Sequence, residues 1–474
     1  MTDSSACKEQ RGGEAFEGKE PEDNVRIGEH EMKIIQACIG LVLFTSCCMP
    51  FSAGAEEYSL NDLFETALKR SEKIQIAKAN VYYSHLEKTK ATSLLIPKLS
   101  AFGSYVRFTE DKYNDFQYLL QPESAVQWGV RADEALSLSL RELTAREIAE
   151  HGIRKSKNDL ANLKEVYLLQ VAQAYYNVLT AKKSVEIAES NLARISKYRN
   201  AAVSRLKVDE VTMIVILRAE SELSGAKSEL ARAKNAYDSA QTALARLVGI
   251  GGDFALREEK QYESQANTLP ELINIAYAER ADLKSLEEQV EMARKQVSYA
   301  RGAYWPDLNI QGVYQKTDQE PESSVLNDES IYGSVTLNFL FFDGGFRRSE
   351  LLQARTRERQ AVLEYEDLKK TVAMEVENVF LELNTQRDRV KFLEDQFTFA
   401  KDNYRGVMRQ FELGLANSLD VIDANDLLVS SERQLAFANY SYQLSILSLE
   451  QATGRFMKEI NRRQSNVLKE KGEQ

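Results

Sequence analysis

An internal duplication constrains the fold of this chain more than any other feature. Residues 59–107 align without a gap on 268–316, at an offset of 209, and residues 206–249 align on 411–454, at an offset of 205. Self-similarity over such lengths means that one structural unit occurs twice. The predicted segments are a first repeat over 56–252, a linker over 253–267, a second repeat over 268–457 and a polar C-terminal tail over 458–474.

Each repeat reads as a helix, two strands and two long helices. In the long segments, apolar or small residues recur at spacings of three and four, which is the pattern of helices that pack along their whole length. The predicted long helices cover about 144–205, 211–248, 346–411 and 417–453. The first would extend about 93 Å at 1.5 Å per residue, roughly three times the thickness of a bilayer core. Many packed positions are alanine, which suits a sheet of closely spaced helices; an ordinary antiparallel coiled coil is the alternative.

Four shorter segments alternate between apolar and polar residues with the period of a β-strand. They cover about 99–109, 125–140, 307–317 and 330–342. Such runs suit a strand between lipid and water, or a half-buried strand in a soluble sandwich, but the sequence offers no second sheet for a sandwich. Lipid tolerates no open sheet edge, and spanning barrels have at least eight strands. Four lipid-facing strands would therefore require several chains to share one barrel.

The first 55 residues are predicted to be separate from the folded chain. Residues 1–31 are polar and acidic, and they are predicted to be disordered, or not translated if synthesis starts at Met32. Residues 32–55 have the basic start, apolar stretch and small-x-small end of a secretory signal peptide. A membrane anchor and lipidation of Cys47 or Cys48 are the two alternatives. Cleavage after residue 55 would remove every cysteine of the chain.

Composition and charge exclude several classes of function. The formal net charge is −11, whereas a nucleic-acid-binding protein would carry a basic patch, so no nucleic-acid partner is predicted. With three histidines and four cysteines, all four cysteines within the first 48 residues, we predict no metal site and no cofactor. No glycine-rich phosphate loop follows a strand, and acidic pairs on long helices are typical of a solvated face. We therefore predict that the protein is not an enzyme.

Three motifs resemble the TolC-like outer-membrane efflux protein family, the outer membrane factors. The most specific is FELGLANSLDVIDA at 411–424, where the second long helix of the second repeat turns back. The others are LFFDGG at 340–345 and Pro-Asp-Leu at 306–308, and the resemblance covers essentially the whole mature chain. It implies an α+β membrane fold: a homotrimer in which each chain gives four strands to a 12-stranded outer-membrane β-barrel and four helical strands to a periplasmic α-helical barrel.

The same resemblance implies a function. The protein would be the exit duct of a tripartite efflux or type I secretion system, a passive conduit in the cell outer membrane with its helical tunnel in the periplasm. Its partners would be a periplasmic adaptor protein, an inner-membrane transporter that drives the substrate, and outer-membrane lipid. The alternative is an exported periplasmic coiled-coil scaffold or tether without channel activity, which accounts for the helices but not for the strands.

Site residues are implied at the tips of the helical hairpins. Asp420 and Asp423 match an acidic ring at the periplasmic gate, although an acidic i, i+3 pair at a helix start is also ordinary helix chemistry. Gate and tip contacts are implied for Phe411, Ala416 and Leu206. Adaptor docking at the hairpin tips is implied for Leu413, Gly414, Leu415, Val208 and Asp209.

Two departures from the family pattern bear on the gate. Relatives latch the closed mouth with a tyrosine and a basic residue at the positions held here by Phe411 and Ala416, so closure is predicted to use other contacts. The first repeat carries Val215 and Arg218 where the second carries the two aspartates. An acidic ring would therefore come from the second repeat alone.

Overall fold

The computed structural model describes residues 56–251, 254–258, 262, 267–322 and 327–463. The first repeat contains β1 (Glu56–Tyr58), α1 (Leu60–Arg70), α2 (Glu72–Thr92), β2 (Lys98–Arg107), β3 (Lys112–Tyr113), β4 (Leu119–Gln121), β5 (Ser124–Ser137), α3 (Arg141–Leu206) and α4 (Met213–Val248). β6 (Phe254–Leu256) lies between the repeats, and the second repeat contains α5 (Leu269–Glu279), α6 (Ala281–Gly302), β7 (Asp307–Glu320), β8 (Glu329–Asn338), α7 (Phe346–Glu412) and α8 (Ser418–Ala452).

The duplication is visible in the way that each repeat begins. Ser59 and Asp62 form a capping box at the start of α1, in which each side chain accepts from the backbone N–H of the other residue. Thr268 and Glu271 form the same box at the start of α5. Such boxes satisfy N–H groups that a helix start leaves without partners. Both repeats therefore begin at the same residue of the aligned sequence.

The long elements occupy the predicted positions, the largest difference being the end of β8 at residue 338 instead of about 342. Two helices precede the strands of each repeat, where the sequence predicted one. The predicted linker 253–267 also contains β6, whose Phe254 and Leu256 are buried, and the Tyr58 carbonyl of β1 accepts from the Arg257 N–H. Burial of its side chains makes this segment part of the fold and not only a connection.

β2, β5, β7 and β8 form one antiparallel sheet in that order. The central pair joins the two repeats, with Val130 opposite Tyr314 and Leu136 opposite Leu308. Neither β2 nor β8 has a partner on its outer edge among the residues that the structure describes. The sheet therefore has two open edges.

One face of the sheet is apolar except for Glu134, and the other is polar, as the alternation predicts. Exposed apolar side chains on the first face include Leu99, Val130, Ile310 and Leu337. The opposite face carries side-chain hydrogen bonds between Gln127 and Gln315 at 3.0 Å and from Gln311 to Asp133 at 2.8 Å, and an ion pair between Arg131 and Asp133 at 2.8 Å. A sheet with these two faces can lie between an apolar and an aqueous medium.

The LFFDGG motif ends the sheet and starts α7. The Asp343 carboxylate accepts hydrogen bonds from the backbone N–H groups of Gly345 and Arg347, both at 3.0 Å. The Arg347 guanidinium binds the same carboxylate at 2.7 Å and also donates to the Leu340 carbonyl at 2.7 Å. Gly344 and Gly345 have φ values of 69° and 91°, a region that favours glycine. The motif is therefore a strand-to-helix turn, which explains why β8 ends early.

The largest core cluster joins α1, α3 and α4 to the C-terminal end of the described chain. Phe64 and Leu168 are buried there, and the Phe64 ring packs on Phe456 at 5.7 Å. Residues 456–463 are helical, and Ile460 is 2% exposed. The prediction of a polar tail from 458 is therefore wrong as far as residue 463, because apolar residues spaced by four fill this core.

The remaining predictions at the termini lie outside the described residues. These are the prefix 1–31, the signal peptide 32–55 with Cys47 and Cys48, and the last part of the tail. Within the part of the chain that the structure describes, no helix is both long and apolar enough to cross a membrane.

Candidate functional site

The two long helical hairpins end in tips with the same backbone. At the first tip, the N–H of Asp209 binds the Leu206 carbonyl at 3.0 Å and the N–H of Glu210 binds the Arg205 carbonyl at 3.0 Å. At the second, Gly414 binds Phe411 at 3.0 Å and Leu415 binds Gln410 at 2.8 Å. This pair of bonds is a Schellman motif, and its four positions correspond at the offset of 205. The predicted tip residues therefore hold equivalent places in the two repeats.

A left-handed residue closes each tip. Gly414 has φ 80° and its equivalent, Asp209, has φ 58°. Glycine adopts this conformation freely, and aspartate is among the few other residues that adopt it with modest cost. The missing glycine of the first tip therefore leaves the backbone geometry unchanged.

The helices that leave the tips start differently. Asn417 caps α8: its side chain accepts from the Asp420 N–H at 3.0 Å, and the Asp420 carboxylate accepts from the Asn417 N–H at 3.0 Å. Thr212, the equivalent residue before α4, makes no side-chain cap bond. Asp420 is thus used in the ordinary chemistry of a helix start.

The three predicted gate and tip contacts lie together in one apolar cluster beneath the tips. Phe411 is 1% exposed and its ring lies 5.3 Å from the ring of Tyr198. Leu206 and Ala416 are partly buried against the same cluster. The cluster draws side chains from α3, α4, α7 and α8, so it packs the two hairpins against each other.

Arg205 crosses from one tip to the other. Its guanidinium donates to the Phe411 carbonyl at 3.0 Å and to the Glu210 carboxylate at 3.0 Å, and it lies 4.9 Å from the centre of the Phe411 ring. Its side chain is only 15% exposed. The sequence analysis missed this residue, because its partner is 206 positions away and no local pattern predicts the contact.

Acidic side chains form an exposed stripe on α8. Asp420 and Asp423 are exposed, and Asp426 continues their spacing of three. Partial burial raises the pKa of Asp426, and the Asp423 carboxylate raises it further by like-charge repulsion. Since Asp420 also caps the helix, Asp423 and Asp426 are the pair whose carboxylates interact. The repeated i, i+3 spacing could have pointed to Asp426 in the sequence.

The predicted docking residues are at the extreme ends of the hairpins. Leu413, Leu415 and Val208 are 68%, 77% and 64% exposed, although they are apolar, and Asp209 and Gly414 are also exposed. Exposed apolar residues that cluster at one end of an elongated element are typical of an interaction surface.

A second functional surface is the apolar face of the sheet. The row that contains Trp128 and the row that contains Leu136 are eight residues apart, or about 26 Å at 3.3 Å per residue. Near the first row, the Trp128 and Tyr314 rings lie 6.1 Å apart. At the other end, Trp305 precedes β7 and the exposed Phe341 follows β8. An apolar band of about 25 Å between two aromatic girdles is the pattern of strands that cross a bilayer.

Comparison with known proteins agrees with this geometry. The family model described as outer membrane efflux protein matches residues 63–250 and 272–455, one match for each repeat. The chain belongs to the outer membrane efflux protein family. Among its relatives, the outer membrane protein TolC of Vibrio cholerae is 23% identical over 315 residues, which are 65% of this chain and 72% of TolC. The outer membrane efflux protein BepC of Brucella suis is 24% identical over 311 residues, which are 65% of this chain and 67% of BepC.

A solved structure supports the fold independently. The Campylobacter jejuni CmeC outer membrane channel superposes with a TM-score of 0.74 at 15% identity, over 84% of this chain and 86% of CmeC. The predicted family, the fold of two tandem strand–hairpin repeats, the outer-membrane location and the efflux function are confirmed. The alternative of a scaffold without channel activity is not favoured.

Proposed function

We propose that three copies of this chain form one closed outer-membrane β-barrel that continues into a periplasmic helical duct. The observation that carries the proposal is the sheet of four strands, which is apolar on one face over about 26 Å apart from Glu134 and is open at both β2 and β8. Backbone N–H and C=O groups at an open edge have no partners in lipid. Pairing β8 of one copy with β2 of the next removes both edges, and three copies give 12 strands, above the minimum of eight.

An apolar stripe on α7 supports the same assembly in the helical part. Its members are exposed by 50% to 72% and are Leu352, Leu363, Met374, Leu381, Phe392 and Phe399. Their spacings are 7 and 11 residues, and either spacing returns to within about 20° of the same face of a helix with 3.6 residues per turn. Exposed stripes of this length are a liability unless they are covered. Contact with a helix of the neighbouring copy would cover this one.

The duct works without catalysis in this proposal. Substrates, driven by an inner-membrane transporter of an efflux or type I secretion system, pass the hairpin tips and leave through the barrel. Asp423 and Asp426 line the periplasmic mouth and favour cations there. Arg205 and the cluster around Phe411 hold the closed arrangement of the two hairpins, in place of the latch of relatives. A periplasmic adaptor protein contacts Leu413, Leu415 and Val208 and shifts the tips toward the open arrangement.

Chemical cross-linking tests the shared barrel. In a background without the native cysteines, Ser100→Cys in β2 and Ser334→Cys in β8 place a thiol on each open edge strand. A flexible bis-maleimide should join copies of the doubly substituted protein in the outer membrane and give bands of two and three chains on a denaturing gel. This pattern requires that β2 and β8 of different copies are neighbours.

Each single variant serves as the control, because one thiol per chain allows no more than a pair of linked chains. A product of three chains from a single variant would mean that the reagent also reacts with groups other than the introduced thiols. Doubly substituted protein that remains one chain at every reagent concentration would contradict the shared barrel.

A further inference from the structure

The helix at 456–463, which we call the C-terminal helix, follows α8 and packs on the first repeat. Its Phe456 is fully buried against Phe64 of α1, and Ile460 is 2% exposed in the same cluster. Side chains of α3 and α8 complete this cluster, among them Leu168. The C-terminal helix therefore joins the end of the second repeat to the start of the first.

Charged groups surround the C-terminal helix on the neighbouring elements. Glu165 of α3 accepts a hydrogen bond from the backbone N–H of Met457, in the first turn of the helix. Glu450 of α8 accepts from the guanidinium of Arg463, which also lies 4.2 Å from the centre of the Tyr262 ring. The other charged groups of this cluster are Glu279, Arg280, Asp282 and Lys284 around the junction of α5 and α6, Glu375 of α7, and Lys458, Glu459 and Arg462 of the C-terminal helix.

Glu165 makes no ion pair with a residue that the structure describes. The nearby Arg280 is already engaged, since its guanidinium donates to Asp282 and to Glu375 at 2.6 Å each. Burial raises the pKa of Glu165 to about 7, although the Met457 N–H and the charge of Arg280 oppose this shift. The carboxyl group that caps the C-terminal helix therefore titrates near neutral pH.

Glu450 supplies a second observation, which is geometric. Arg463 contacts its Oε1, but its Oε2 is buried and has no hydrogen-bond donor. A buried acceptor without a donor is costly, most of all when the carboxyl group is ionised, and a proton on the group lowers that cost. Burial raises the pKa of Glu450, and the neighbouring Glu459 adds to the shift, while Arg463 opposes it. Both carboxyl groups that contact the C-terminal helix therefore favour a bound proton.

The direction of the pH effect follows from these two groups. A carboxyl group whose pKa is raised by docking stabilises the docked helix at low pH, and this stabilisation is lost as the pH rises. For Glu165 the loss extends from the ordinary value of 4.5 to about 7. Glu279 acts in the opposite direction, because Lys458 at 2.7 Å lowers its pKa, and its contribution is lost only on acidification below the ordinary carboxylate range. Near neutral pH, Glu165 and Glu450 therefore determine the sign.

We infer that the C-terminal helix forms a pH-dependent contact between the two repeats: it is docked on α1, α3 and α8 while Glu165 and Glu450 hold protons, and it is released when they ionise. Release would uncover the apolar cluster around Phe64 and leave the end of the second repeat without its contact to the first. The inference is independent of the proposed barrel and duct, because every group that it uses belongs to one chain.

Hydrogen exchange of the amides in 460–463 measures the docking of the C-terminal helix. Purified full-length protein in nanodiscs is labelled at several values between pH 5.5 and pH 8, and each rate is divided by the intrinsic exchange rate at that pH. The resulting protection should fall by about tenfold or more over this range in the wild type, because the docked helix loses its preference for the protonated carboxyl groups. Amides of β5 serve as the internal reference and should keep their protection.

Two variants that each remove one carboxylate separate the titrating group from a general change of charge. Glu165→Gln is a neutral isostere that keeps an acceptor for the Met457 N–H, so its protection should stay near the value at low pH and lose most of the decline. Glu377 is exposed on α7, two residues from Glu375, and makes no ion pair among the described residues. Glu377→Gln should therefore follow the wild type at every pH.

A third variant checks that the chosen amides report docking. Ile460→Ala removes a buried side chain of the C-terminal helix and should lower the protection of 460–463 at every pH. Unchanged protection in Ile460→Ala would mean that the helix does not depend on this contact, and the inference would be wrong. Constant protection of the wild type between pH 5.5 and pH 8, the same decline in Glu165→Gln as in the wild type, or an equal decline of the β5 amides would overturn it as well.

Discussion

The two hairpin tips share one backbone and differ in almost every side chain that could act. Both close with the same pair of hydrogen bonds and with a left-handed residue at the same position. The second tip has the glycine, the capping box and the acidic stripe, whereas the first has Asp209, an uncapped Thr212 and the arginine that reaches across. The duplication therefore preserved geometry while the chemistry of the two tips diverged.

Phe411 and Leu206 hold equivalent positions in the two repeats and differ in burial. Phe411 is 1% exposed and contacts both Tyr198 and Arg205, whereas Leu206 is only partly buried against the same cluster. Phe411→Ala should lower the local stability of the tips by about 3–5 kcal/mol, and Leu206→Ala by about 2 kcal/mol or less. Hydrogen exchange of the amides around both tips measures the difference.

Amides far from the tips provide the control in the same hydrogen-exchange experiment. Amides in the sheet and in the core around Phe64 should keep their protection in both variants, because they belong to a different cluster. Equal losses of amide protection at the tips in the two variants would mean that the two positions contribute equally to stability, which would contradict the proposed difference between the tips.

Arg205 gives the next largest expected effect. Arg205→Ala removes the hydrogen bond to the Phe411 carbonyl and the ion pair with Glu210, contacts that are worth about 1.5–3 kcal/mol together when a charged group makes them. We expect more frequent spontaneous openings in bilayer recordings and faster amide exchange at both tips.

The equivalent residue in the second repeat provides the control. Gln410 is exposed and makes no reciprocal side-chain bridge to the first tip among the contacts of the described residues. Gln410→Ala should leave the opening frequency unchanged. If both variants open equally often, the bridge from Arg205 has no role in closure.

The sequence predicted the fold well because its signals are local or repeated. Alternation in the strands and the three-four spacing in the helices follow from a few neighbouring residues, and the duplication follows from the comparison of two long segments. The structure places the long elements accordingly. The contact of Arg205 with Phe411 depends on how two distant hairpins pack, which no local pattern encodes. The helix at 456–463 was missed for a similar reason, since the core that accepts Phe456 is assembled from the first repeat.

Substitution of the left-handed residues should have a smaller effect on the stability of the tips. Gly414→Ala introduces a side chain at φ 80° and should cost about 1–2 kcal/mol, and its new Cβ would also lie 3.4 Å from the Arg205 guanidinium. Asp209→Gly should have a small effect of opposite sign, because aspartate already tolerates the conformation only at modest cost. Amide exchange at each tip measures both; a strong loss in Asp209→Gly would show that the aspartate side chain itself holds the first tip.

The acidic stripe gives the smallest effect and the one that depends on pH. Burial and the neighbouring Asp423 raise the pKa of Asp426, so Asp426 becomes neutral at a higher pH than an ordinary aspartate as the solution is acidified. Cation selectivity is measured as the reversal potential in a salt gradient. As the pH falls, it should decrease in a first step, when Asp426 is protonated. Asp426→Asn should lower the selectivity at neutral pH and remove that step. Asp423→Asn should move it to lower pH, since the repulsion is gone. The first repeat has Ser221 at the equivalent position, and Ser221→Asp should add selectivity if both tips line the passage. Identical pH profiles for the wild type and Asp426→Asn would place this carboxylate outside the conducting path, and the chemical difference between the tips would then concern helix capping alone.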